Sequence, residues 1–186
     1  MPENKVKRLS EKVLYSNEKG SMKLIETIDI VGGKEIKKRF VREGDSVTII
    51  PLLGDNRIVM LRNYRAAGLR KGSEEDAFSY ELPSGHINDG EDPMAAVRRE
   101  LKEETGFSVS DVEPLMSHYI GLYITALKDH VFVARGLEEG RTRLEDDESI
   151  TWEAVKVSEL RELLRNGTIK DASSRDALFH WLAFGK

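Results

Sequence analysis

The 186-residue chain has no cysteine. Disulfides, thiolate metal sites and a thiol nucleophile are thereby excluded, and the fold has to hold by packing. Long apolar runs are missing too. No stretch reaches the length that spans a bilayer, and the N-terminal segment from Met1 to Arg8 leads into further charge where a secretory leader would be apolar. The expected setting is cytoplasmic, with no membrane partner. Positive charge is not in excess: 29 Lys and Arg against 33 Asp and Glu leave a net charge of -4. With the cations dispersed among acids there is no broad basic surface for nucleic acid. A Gly-x4-Gly-Lys-Ser/Thr run and a Gly-x-Ser-x-Gly elbow are both absent, which excludes a P-loop and a serine nucleophile of that kind. His86, His118, His130 and His180 show no close metal spacing and are read as structural or solvent-facing.

What is present is an unusually crowded acidic stretch, Arg99-Glu100-Leu101-Lys102-Glu103-Glu104, inside the segment from Gly85 to Phe107. Asp92 is a good N-cap, Pro93 suits the first helical position and Gly106 can close a helix after Thr105. On such a helix Met94, Val97 and Leu101 form a core stripe. Glu100, Glu103 and Glu104 then cluster on the neighbouring face, at the rim of the core. Like charges at this spacing repel, so a cation belongs among them. Oxygen donors without His or Cys beside them suit Mg²⁺ or Mn²⁺. Arg99, one turn before Glu103, is placed to fix that acid and leave Glu100 and Glu104 for metal. An arbitrary Glu-rich helix is more often a solvated face.

The pattern here is tighter than that: Gly-x5-Glu-x7-Arg-Glu-apolar-x-Glu-Glu-x-Gly-apolar runs from Gly85 through Glu91 and Arg99 to Phe107 without a gap. From average residue usage, a chance match in a chain of this length is on the order of one in ten million. The segment resembles the signature of the Nudix hydrolases. Arg62-Asn63-Tyr64-Arg65, Glu81-Leu82-Pro83-Ser84-Gly85, Asp146-Asp147-Glu148-Ser149-Ile150 and Gly167-Thr168-Ile169-Lys170-Asp171-Ala172 are similar to the ADP-ribose pyrophosphatase branch of that family.

The resemblance implies Mg²⁺-dependent hydrolysis of the diphosphate linkage in ADP-ribose or a related nucleoside diphosphate sugar, giving AMP and ribose 5-phosphate from ADP-ribose. It implies metal at Glu100, Glu104 and the Ser84 carbonyl, with Glu103 assisting and Arg99 orienting the acids. Glu148 would be general base or a mobile ligand to metal-bound water, with Asp146 near it. Arg65, with Arg62, would contact the diphosphate, and Gly85, Glu91 and Gly106 would shape the motif. A tyrosine near Tyr123 looks more like the diadenosine polyphosphate branch, so a dinucleoside polyphosphate hydrolase stays open, as does a nucleotide-binding sensor without turnover. Trp152, Tyr119, Tyr123 and Phe40 are candidates for stacking on a base.

Taken in order, the chain opens with strands near Val13 to Tyr15, Met22 to Val31 and Lys34 to Val41, the last two joined by Gly32-Gly33. Residues 1–44 are read as a small N-terminal β appendage. A lone hairpin is marginal in water, so the expectation is exchange within a homodimer. Residues 45–186 form the main domain, with strands from Val47 to Leu53, Ile58 to Arg62 and Phe78 to Leu82. Pro51 is expected at an edge or bulge, and Pro114 as a chain break. Later strands lie near Leu115 to Tyr119, His130 to Ala134 and Ile150 to Val157, followed by helices capped by Ser158 and Asp171. The expected fold is a Nudix-type α/β/α sandwich around a mixed sheet.

Overall fold

The computed structural model describes residues 5–18, 21–68, 77–142 and 149–185, and among them ten strands and three α-helices form. Strands β1 (Val6–Ser16), β2 (Lys23–Val31) and β3 (Lys34–Arg42) make a three-stranded antiparallel sheet in that order. Between Val31 and Lys34, which pair, Gly32 and Gly33 both take positive φ, 57° and 85°. Only such a mirror-image turn matches the twist of the strands it joins. This sheet belongs to one unit, Met1–Asp45 with Tyr119–Lys128. Within it the 119–128 segment returns to β3, where the Val41 amide donates to Ile124 and the Val41 carbonyl accepts from Ala126.

The second unit, Ser46–His118 with Asp129–Lys186, is built on β4 (Ser46–Leu53), β5 (Arg57–Tyr64), β8 (Ser108–Tyr119), β9 (Lys128–Glu138) and β10 (Ile150–Lys156). They run in the order β10-β5-β4-β9-β8, with β6 (Phe78–Glu81) on β5 and β7 (Ser84–His86) on β4. The sheet is mixed, since β4 pairs with β9 in parallel and with its other partners antiparallel.

One face of this sheet carries Val47, Ile49, Val59 and Phe132 against Ala96, Val97 and Leu101 of α1 (Pro93–Thr105). The other carries Ile50, Ile58, Met60, Val131 and Val133 with Leu160 and Leu164 of α2 (Leu160–Arg165) and Ala177 and Leu178 of α3 (Ala172–Phe184). Alternation along each strand thus supplies two cores, and the unit is the α/β/α sandwich that the pattern implied.

Both prolines differ from their expected roles. Pro51 is buried inside β4, paired with Ala134 of β9 on one side and, on the other, lying between Thr48, which pairs with Ser84 of β7, and Leu52, which pairs with Ile58 of β5. At that gap between partners a missing N–H costs little. Pro114 does not break the chain, because β8 runs through it as the terminal strand of its sheet, where proline is tolerated. Among the described residues no helix is long and apolar enough to cross a membrane.

Candidate active site

The acidic helix begins where the sequence sets it. The Asp92 carboxylate accepts from the amides of Met94 and Ala95, Pro93 occupies the first position, and the Gly106 amide closes the last turn on Lys102. Its buried stripe differs from expectation. Met94 is 43 % exposed, while Ala96, Val97 and Leu101 are fully buried and Glu104 is only 4 % exposed. Seven residues after Val97, Glu104 lies on the core face itself, two turns along. It is therefore a buried carboxylate and not a rim acid, and such a group requires partners. One is the Ser84 amide, which donates to Glu104 Oε2 at 3.0 Å.

Glu100 lies against β7 at Gly85. A Cβ at Gly85 would overlap the Glu100 carboxylate, so only glycine lets this acid reach the strand. Arg99 gathers the remaining groups. Its guanidinium donates to Glu100 Oε1 at 2.6 Å, to Glu103 Oε2 at 3.1 Å, to both oxygens of Glu91 at 2.9 Å each and to the His86 carbonyl at 2.9 Å. Arg99 beside Glu91 lowers that carboxyl to about 2, against a smaller opposing effect of burial. Glu91 in turn raises the proton affinity of Arg99, which stays a cation at any working pH.

Arg65, just beyond β5, enters the same region through an acid that received no role from the sequence. Its Nε and Nη2 grip the Glu81 carboxylate at 2.7 to 3.1 Å. Glu81 is 3 % exposed. Glu81 holds the guanidinium firmly charged, with smaller contributions from Asp171 and Glu104, which places all four groups within one electrostatic neighbourhood. A glutamate on a strand otherwise reading as buried was the available signal for Glu81.

Arg62 does not join them. It pairs with Tyr80, whereas Leu61 pairs with Glu81, so alternation turns Arg62 to the opposite face of the sheet. Trp152 packs on Phe107 in the core beneath α1, with ring centroids 5.0 Å apart. Tyr119 and Tyr123 belong to the other unit, where Tyr123 is 88 % exposed, and Phe40 lies under Arg42 there. Asp146 and Glu148 lie outside the described residues.

The donor set of Glu100, Glu103, Glu104 and the β7 backbone is all oxygen, which fits a hard divalent cation and not a soft one. Among the described residues no three His, Cys, Asp or Glu side chains are gathered closely enough to enclose a metal, and Glu100 and Glu103 are each paired with Arg99. The residues present fit the ion in type and neighbourhood.

Comparison with known proteins agrees with this geometry. A family model described as the NUDIX domain matches residues 42–178. The chain is 28 % identical over 152 residues to a methanol dehydrogenase activator of Bacillus methanolicus, covering 81 % of this chain and 78 % of that one. It is 26 % identical over 179 residues to an ADP-ribose pyrophosphatase of Bacillus subtilis (strain 168), covering 93 % of each. A crystal structure of an ADP compounds hydrolase superposes with a TM-score of 0.78 at 19 % identity, over 97 % of this chain and 94 % of that one, a likeness of fold.

Proposed function

Because the chain belongs to the Nudix family of pyrophosphohydrolases, we propose that it hydrolyses the diphosphate of ADP-ribose or a related nucleoside diphosphate sugar with the help of Mg²⁺. The observation that carries this reading is the convergence of a buried Glu104, the Ser84 strand end and the Arg65–Glu81 fork in one electrostatic neighbourhood. The relative named ADP-ribose pyrophosphatase, aligned over nearly the whole chain, supports the substrate class.

In this reading Glu100 and Glu104, with the Ser84 carbonyl and Glu103, hold divalent cations. Such ions would neutralise the diphosphate and lower the pKa of a bound water. Arg65 offers its remaining donors to the diphosphate, a planar cation suited to phosphate oxygens. Its orientation comes from Glu81. Arg99 bridges Glu100 and Glu103 and fixes their orientation. Water attacks one phosphorus, the bridging P–O bond breaks, and Glu148, with Asp146 assisting, would take the water proton. ADP-ribose then yields AMP and ribose 5-phosphate.

The test is a panel of ADP-ribose, nucleotide sugars and dinucleoside polyphosphates incubated with the protein and Mg²⁺, read by product identity. AMP and ribose 5-phosphate in equal amounts from ADP-ribose are expected. Faster cleavage of a dinucleoside polyphosphate would replace the substrate, and release of no nucleoside monophosphate from any of them would overturn the reading.

We also propose that residues 1–44 serve as an exchanged arm of a homodimer, and that the protein acts in the cytoplasm. Every residue of β1 is exposed, among them Val6 at 64 %, Leu9 at 49 %, Val13 at 50 % and Tyr15 at 57 %. An edge strand so apolar is usually covered. Sedimentation equilibrium should give twice the monomer mass; a monomer at micromolar concentration would contradict the arm.

A further inference from the structure

The face of the sheet opposite α1 carries a cleft of about 660 Å³, lined by residues from β5, β6, β10 and α2 and from the turn before α3. That size falls within the range of small-molecule sites. Its composition is informative because register explains it. Arg62 pairs with Tyr80 across β5–β6 and with Thr151 across β5–β10, and Glu153 follows Thr151 by two. These four side chains therefore rise from one face, the face whose Met60 packs with α2 and α3. Thr168 and Lys170 line the cleft from the segment joining those helices.

Two cations thus accompany two threonine hydroxyls and a Tyr80–Glu153 pair in which the phenol donates to the carboxylate. Burial first, and Glu153 second, hold the phenol well above its ordinary range, so it stays a neutral donor. The Arg62 guanidinium sits 5.1 Å over the Phe78 ring, whose centroid is 5.8 Å from that of Tyr64 in an edge-to-face pair. A bare anion would meet the Glu153 carboxylate. A sugar hydroxyl would instead donate to Glu153, while a phosphate group could be met by Arg62 and Lys170.

We propose that this cleft is a second ligand site, for a phosphorylated sugar, separated from the acidic helix by the thickness of the sheet. The inference is independent of the hydrolytic reading, since the polar groups it uses, Arg62, Tyr80, Thr151 and Glu153, rise from the face opposite α1, while Ser79 and Trp152 complete the lining.

Calorimetric titration of the full chain with ribose 5-phosphate in excess chelator tests it, with inorganic phosphate and ribose as comparison probes. Saturable binding is expected, weakened about tenfold or more by Arg62→Ala and by Lys170→Ala, the loss of one charge-assisted contact each, and unaffected by Glu104→Gln. Amide resonances of Tyr80, Thr151 and Thr168 should shift in the unmodified protein, so the assignment does not depend on the variants folding. Absence of binding, equal affinity for inorganic phosphate, loss of binding in Glu104→Gln, or shifts centred on Gly85 and Glu100 would each overturn the proposal. Because the chelator removes the metal on which turnover would depend, failure here leaves the hydrolytic reading standing, and failure of turnover leaves this one.

Discussion

Arg99 meets Glu91 in a two-pronged ion pair, Nε to Oε1 and Nη2 to Oε2, each at 2.9 Å. The pair locks the loop that precedes α1 onto the middle of the helix. The Asn88 amide adds a third bond to Glu91 at 2.9 Å. The acids are therefore positioned by a residue that lies outside the helix.

Glu91→Gln is expected to lower stability by about 1–2 kcal/mol at pH 7, after allowance for partial solvent screening. The sign follows from the shift: the folded carboxyl titrates near 2 and the ordinary value is 4.5, so the contribution is complete above about 4.5 and fades as pH falls toward 2. Urea unfolding of both proteins at pH 7 and pH 3 checks this, the difference shrinking at the lower pH.

Gly85→Ala should displace the Glu100 carboxylate, because the new methyl group needs the space that carboxylate fills. What the methyl meets is the far end of a flexible side chain, so stability without metal should change little. Thermal melting with and without Mg²⁺ is the measurement, and the variant is expected to lose most of the metal-dependent gain in Tm.

Much of this site was legible in the residues, because helix capping and i, i+4 spacing are local. Asp92, Pro93 and Gly106 bound α1 where their chemistry says they should. What escaped was set by tertiary packing. Glu104 shares a face with Val97, so it is buried, yet its burial depends on β7 lying over it. Arg62 and Arg65 look alike in sequence; strand alternation and the length of β5 send them to different faces. Glu81 gained a role only when β6 was seen to pair with β5 and present it to Arg65. Pro114 misled because the edge position of β8 is a property of the whole sheet.

Asp129 is a second place where packing decides. It is fully buried on β9, accepting from Ser46 Oγ at 2.7 Å and Thr48 Oγ1 at 2.8 Å, with His118 Nε2 at 3.6 Å. Asp129→Ala leaves those donors without a buried acceptor and should cost about 3–5 kcal/mol. Chemical denaturation would register it as a fall in midpoint with an unchanged slope.

Glu104→Gln retains an acceptor for the Ser84 amide while removing the charge. Stability should stay within about 1 kcal/mol, and kcat should fall by about a hundredfold or more. Glu148→Gln is expected to lower kcat comparably with metal affinity kept. Steady-state kinetics beside melting curves separate the two effects.

Glu100 and Glu104 together are expected to bind a divalent cation. Titrating Mn²⁺ into the unmodified protein and into the Glu100→Gln/Glu104→Gln double variant, with free Mn²⁺ read by electron paramagnetic resonance, tests it most directly. The expected result is depletion of the free-ion signal by the unmodified protein and little or none by a double variant whose circular dichroism is unchanged. Equal depletion by both proteins would contradict the account.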